Sequence, residues 1–189
     1  MLNAYIRFSS NPTIDAIIKV FLGTLLLNMG GSTVIRNGLN VPVTLQSLLV
    51  LIPAIWFGWR IGILCVILYI ASGIAGLPVF AGGTYGIEKV LSRSSGGFFW
   101  GFVFAAMACG YIAERIKPQK QFQTVGLWLL GHIIILTSGI FWMIMMHSEG
   151  YWIVIKQTAP GLALKSAIGY FITQVIFRML VRREEYYQK

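Results

Sequence analysis

Acidic side chains are nearly missing from this sequence: six Asp and Glu in 189 residues, against fifteen Lys and Arg. Charged residues make up 11% of the chain, less than half the ~25% of a soluble domain. A globule cannot cover itself with so few charges, and a disordered chain needs the opposite composition. Cysteine is scarce too. Cys65 and Cys109 stand inside apolar runs, with no CxxC pair and no His at ligand spacing, so neither a disulfide framework nor a metal site is expected. The N-terminal MLNAYIRFSS has no apolar core followed by a cleavage site, so no removable signal peptide is expected. P-loop, HExxH and GxSxG patterns are missing, and no apolar run holds an acidic pair. ATP hydrolysis by this chain itself has no basis in its sequence, and an intramembrane enzyme is poorly supported.

Apolar residues dominate instead. They form 57% of the chain, with 21 glycines besides, and the mean hydropathy is +0.74. The composition is that of an integral membrane protein with one compact membrane domain over residues 1–189. A net charge of +9 in a soluble protein would raise nucleic acid as a partner. Here the bases lie mostly between and beyond the apolar runs, where lipid headgroups and topology account for them. No nucleic-acid partner is expected.

A membrane span needs about 20 mostly apolar residues, and the chain offers about six. The first covers about 14–35, started by Asn11 and Pro12, with Asp15 in its first turn. Asp15 and Lys19 stand at i, i+4 and are expected to snorkel at one membrane face, with a functional charge inside the bundle as the alternative. Residues 43–75 hold one charge, Arg60, and as a single helix would reach ~50 Å. Two short spans, 43–57 and 61–75, fit better, with Gly58, Trp59 and Arg60 at the turn and Trp56 and Trp59 in an interface belt. Such short spans either thin the bilayer or sit deep in the bundle. A Gly-rich connection, 76–97, leads to span four at about 98–113 and span five at about 124–146. A polar patch, 147–158, precedes span six, which is expected to start near Pro160 as a first-turn proline and to end near Leu180.

Six spans place both termini on one side. Arg7, Arg60, Arg115, Lys117, Lys120, Arg178, Arg182, Arg183 and Lys189 then face Arg36, Lys89, Arg93 and Lys156 across the membrane. Nine bases against four put both termini in the cytoplasm by the positive-inside rule. The loops after spans one, three and five then face outward.

Those outward segments have the features of a binding site. Gln46 lies about one turn into span two, where an amide needs partners, from a ligand or from another helix. The segment GLPVFAGGTYG at 76–86 carries adjacent glycines, Gly82 and Gly83, which permit positive φ and close backbone approach. The segment SGGFFWG at 95–101 opens span four with Gly97 and then Phe98 and Trp100. His132 sits mid-span, where an ionisable residue is a functional candidate; a neutral His bonded to a neighbouring helix is the simpler reading. Lys165 is the most informative position. Close to the expected start of span six, its cation is opposed by the helix dipole and by hydrocarbon. A ligand carboxylate would offset both; a lysine snorkelling outward is the alternative.

The stretches VPVTLQ at 41–46, GLPVFAGG at 76–83, SGGFFWGF at 95–102 and PGLALK at 160–165 occur in the order found in a known family. The chain resembles the BioY family, the biotin-binding S-components of energy-coupling factor (ECF) transporters. The resemblance covers about two-thirds of the chain. It implies an all-α S-component-like bundle of six helices with cytoplasmic termini, biotin captured under the outward loops, no cofactor, and as partners a membrane T-component and a pair of ABC ATPases. By position it points to Gln46, Gly82, Gly83, Thr84, Tyr85, Gly97 and Lys165 around the ligand, with the Lys165 ammonium on the valerate carboxylate and the bicyclic head among Phe80, Phe98 and Trp100. The sequence departs from the family pattern in three places. Leu162 stands where members often carry Asp, Arg93–Phe98 replaces a Gly-Pro-Thr-Gly-Gly-Tyr segment, and the small-residue stripe of the first helix is reduced to Ala16, Val20 and Thr24. A transporter of another small carboxylated vitamin or precursor, or a membrane scaffold or enzyme, are the competing readings.

Overall fold

The computed structural model describes residues 6–37, 41–116, 121–147 and 151–187. Lys117, Lys120 and Lys189 of the charge count lie outside them. Six long or medium helices and one short one form the structure: α1 (Pro12–Gly30), α2 (Gln46–Phe57), α3 (Trp59–Ile74), the single-turn α4 (Ile87–Val90), α5 (Gly96–Ile116), α6 (Gln121–Met145) and α7 (Tyr151–Tyr187). Three of these, α1, α5 and α6, are each long and apolar enough to cross a membrane, and α2 and α3 are shorter apolar helices. One element departs from the all-helical expectation. Strands β1 (Val34–Asn37) and β2 (Val41–Thr44) pair antiparallel between α1 and α2, with Val34 opposite Thr44 and Asn37 opposite Val41.

The Asn11 side chain caps α1 by accepting from the Thr13 and Ile14 amides, and Pro12 fills the first helical position. The Asp15–Lys19 pair forms, at 2.5 Å, but it does not snorkel. Lys19 is 1% exposed and lies over the Phe57 ring, so packing against α2 draws it inward. The turn at Gly58 stands as expected. Its φ of 101° ends α2 and begins α3, a conformation that other residues enter at a cost. Trp56 is half-buried, and its indole donates to the Thr173 hydroxyl of α7 at 3.1 Å.

Helix α2 is the centre of the bundle. Val50, Leu51 and Ala54 have no exposed surface, and α1, α3, α5, α6 and α7 all pack on it. A short helix buried on every side is one of the two outcomes its length allows. Small residues set the spacing around it: Gly62 of α3 sits on the Ala54 backbone, and Gly131 of α6 meets Leu51 and Cys109.

Contacts identify two ends of the bundle. At one, Lys19 meets Phe57, Gly58 meets Glu114, and Trp56 reaches Thr173. At the other stand the hairpin, the loop from Ala75 to Ser95 and the start of α7. The largest difference from the sequence reading is α7. It begins at Tyr151, not near Pro160, and runs as one helix of 37 residues through that proline. A proline inside a helix lacks one backbone donor, a defect that membrane helices tolerate where neighbours re-satisfy the freed groups.

Candidate functional site

A cavity of about 310 Å³ opens between α2, α5, α6 and α7 at the hairpin end, at the lower limit of the volumes typical of small-molecule sites. Four phenylalanines, Phe80, Phe98, Phe99 and Phe102, line one part of its wall. Phe80, Phe99 and Phe102 form an edge-to-face chain with centroids 4.7 and 5.7 Å apart. Gln46, Ser47, His132 and Lys165 supply polar groups, and Lys89 and Ser95 line the cavity from the covering loop and the approach to α5.

The covering loop is held by glycine geometry and by hydrogen bonds to α3 and to the turn after α1. Phe80 lies where the Cβ of residue 73 would be, so Gly73 on α3 forms the notch that seats the ring. The Gly86 amide donates to the Gly73 carbonyl at 2.8 Å, and the Gly82 amide to the Ser32 carbonyl at 3.1 Å. Gly82 and Gly83 have φ of 74° and 72°, with open space where a Cβ would point. Glycine is therefore demanded by the backbone, not by crowding.

Gln46 opens α2 and is buried. Its amide donates to the Tyr69 hydroxyl at 2.7 Å, which donates to the Val79 carbonyl at 3.0 Å. Of the two readings of Gln46, a helix partner is present, while the residue also lines the cavity. Lys165 donates to the Ser47 hydroxyl at 3.1 Å. Among the described residues no carboxylate pairs with it. Lys165 stands fourteen residues into α7, so the dipole of the helix start does not act on it; partial burial of its charge with a hydroxyl as partner is what makes its position costly.

Of the expected site residues, Gln46, Phe80, Phe98 and Lys165 meet at the cavity. Gly82, Gly83, Thr84 and Tyr85 stand on the loop outside the lining. Thr84 bridges to Phe80 and donates to the Ala81 carbonyl, and Tyr85 is 61% exposed. Gly97 is buried against Trp142 of α6, where it permits helix approach. Trp100 is 51% exposed on the outer face of α5. Ser47, Phe99, Phe102 and His132 line the cavity without having been assigned to it from the sequence. Helical spacing carries the signal for the aromatics: 98, 99 and 102 share a face, and 100 does not. His132 bonds the Trp128 carbonyl and Ser166 of α7, in keeping with a histidine joined to a neighbouring helix. Leu162 also lines the cavity, so no carboxylate enters at that position.

The chain matches the BioY family over residues 6–183. It is 26% identical over 175 residues to the biotin transporter BioY of Rhizobium etli, covering 87% of this chain and 93% of that one. It is 35% identical over 125 residues to the biotin transporter BioY of Thermotoga maritima, covering 66% and 72%. The crystal structure of the S-component for biotin from an ECF-type ABC transporter superposes with a TM-score of 0.75, covering 90% of this chain and 95% of that one at 20% identity. The bundle shares that fold, and a family match running almost from end to end makes this chain a member of the BioY family.

Proposed function

We propose that this protein is the biotin-capturing subunit of a vitamin uptake system. It binds biotin in the cavity beneath the hairpin and the covering loop, from the outer face of the membrane. The observation that carries the reading is the Lys165 ammonium, turned into an aromatic-lined cavity of ligand size with a hydroxyl as its partner and, among the described residues, no carboxylate paired with it. The valerate carboxylate of biotin supplies the missing charge, and Phe80, Phe98, Phe99 and Phe102 supply an apolar wall for its thioether ring. Gln46 stands beside Ser47 and borders the same space. The loop with Gly82, Gly83, Thr84 and Tyr85 covers the ligand without lining the cavity, and Gly97 and Trp100 act through helix packing and the lipid-facing surface.

Both termini face the cytoplasm, as the excess of Lys and Arg at that end favours. With no nucleotide motif in the chain, concentrative uptake requires a T-component and a pair of ABC ATPases. Titration of the purified protein with biotin and, in parallel, with other carboxylated vitamins tests the substrate. Selective biotin binding is expected. Tighter binding of another vitamin would transfer the site to that ligand, and no binding of any would remove the transport reading.

A further inference from the structure

His132 is 4% exposed and lines the cavity. Its Nδ1 lies 2.8 Å from the Trp128 carbonyl oxygen and 3.1 Å from the Ser166 hydroxyl. A carbonyl oxygen only accepts, so in the neutral ring the proton resides on Nδ1. The lone pair is then on Nε2, and Nε2 is buried with no hydrogen-bond partner among the described residues. Buried polar atoms are nearly always paired, and His132 borders the cavity, so its unsatisfied acceptor calls for a donor that a ligand can bring.

Resting on the reading that the cavity holds biotin, we propose that His132 Nε2 accepts a hydrogen bond from a ureido N–H of biotin and so fixes which end of the ligand meets α6. The two ureido N–H groups are the only donors on ionised biotin; its carboxylate, ureido oxygen and thioether sulfur only accept. The arrangement is compatible with a carboxylate on Lys165. Lys165 and Ser166 are neighbours on α7, but successive helical residues point about 100° apart. Lys165 reaches Ser47 on α2, whereas Ser166 meets His132 on α6. Cation and acceptor therefore face the ligand from different walls. Leu162, one turn before Ser166, brings only hydrocarbon to the same cavity, so α6 provides the acceptor that α7 lacks there.

The test is calorimetric titration of the purified full chain with biotin, its alcohol biotinol, and biotin methylated at either ureido nitrogen, for the wild type and for His132→Leu and His132→Gln. In the wild type, at least one N-methyl derivative binds far more weakly than biotin. His132→Leu weakens biotin roughly tenfold to a hundredfold and shrinks that N-methyl penalty, while the preference for biotin over biotinol stays at the wild-type ratio. His132→Gln, whose side-chain oxygen accepts, recovers part of the loss. Unchanged biotin affinity in His132→Leu overturns the proposal. An unchanged N-methyl penalty, or loss of the biotinol preference instead, overturns it as well. Where His132→Leu does not yield monodisperse protein, the wild type decides: equal affinity for biotin and both N-methyl derivatives overturns it. A wild type that binds no biotin removes the underlying reading, which is a different outcome from a wild type and a His132→Leu variant that bind it equally.

Discussion

Gln46, in the wall of the cavity, and Tyr69 behind it join two helices: the amide at the start of α2 donates to the phenol of α3 at 2.7 Å. Tyr69 in turn donates to Val79, the residue before Phe80. A single hydroxyl thus couples the bundle to its covering loop. Tyr69→Phe leaves the buried Val79 carbonyl without its donor and Gln46 without its acceptor, at a cost of about 1–3 kcal/mol. A lower thermal unfolding midpoint in detergent and weaker biotin binding are expected together. An unshifted midpoint would show that water replaces the hydroxyl at no cost.

Lys165→Met keeps the length of the side chain and removes its charge. Deleting one partner of a buried charge pair costs ~2–5 kcal/mol, which is roughly 30-fold to several thousand-fold in dissociation constant. The variant is expected to fold, to bind biotin weakly and to lose the preference for biotin over biotinol. If the wild-type ratio persists, the carboxylate is held elsewhere, and Lys89 in the covering loop is the next cation lining the cavity.

Gly83→Val places a β-branched residue at a φ of 72°. No atom obstructs the new Cβ, so the whole penalty lies in the backbone, on the order of 1–2 kcal/mol for the left-handed region. Gly83→Asn, which tolerates that region, is expected to retain more affinity than valine at the same place. Equal loss in both variants would point to a steric role for the glycine.

Gly97→Leu acts by a different route. Its side chain would collide with Trp142 and the Ser138 carbonyl, so α5 and α6 are expected to separate and the protein to unfold at lower temperature. Yield and monodispersity in detergent check this. Full stability of the variant would exclude the close approach of these helices.

Topology has its own readout. A cysteine at Lys89 is expected to react with an impermeant reagent added outside intact cells, and a cysteine at Arg115 is expected to be protected. The reverse pattern would turn the cavity toward the cytoplasm.

Long apolar runs and one glycine between Trp56 and Trp59 were enough to place the apolar helices α2, α3, α5 and α6 to within a few residues, because hydrocarbon thickness and helical rise leave little choice. Gln46, Phe80, Phe98 and Lys165, which line the cavity, were legible through the cost of a polar group in an apolar run or through aromatic clustering. Pro160 misled, since proline's fit to the first turn is a preference and not a rule, and α7 runs on through that position. Trp100 and Tyr85 misled because residue type says nothing about which face of a helix or loop points inward. Ser47 could not be read at all: it acquires its meaning from Lys165, 118 residues away.

Phe80 belongs to two structures at once, the wall of the cavity and the anchor of the loop that covers it. The loop cannot lift without drawing this ring out of the Gly73 notch. Exposing a buried phenylalanine costs about 1.5–3 kcal/mol, which keeps the loop open for roughly one part in ten to one part in a hundred and fifty of the time. On the capture route proposed above, entry and exit of the ligand share that gate. The retention time of a bound molecule is therefore governed in part by a side chain that holds its place whether or not the molecule is there, and shaving the ring to leucine is expected to speed binding and release alike.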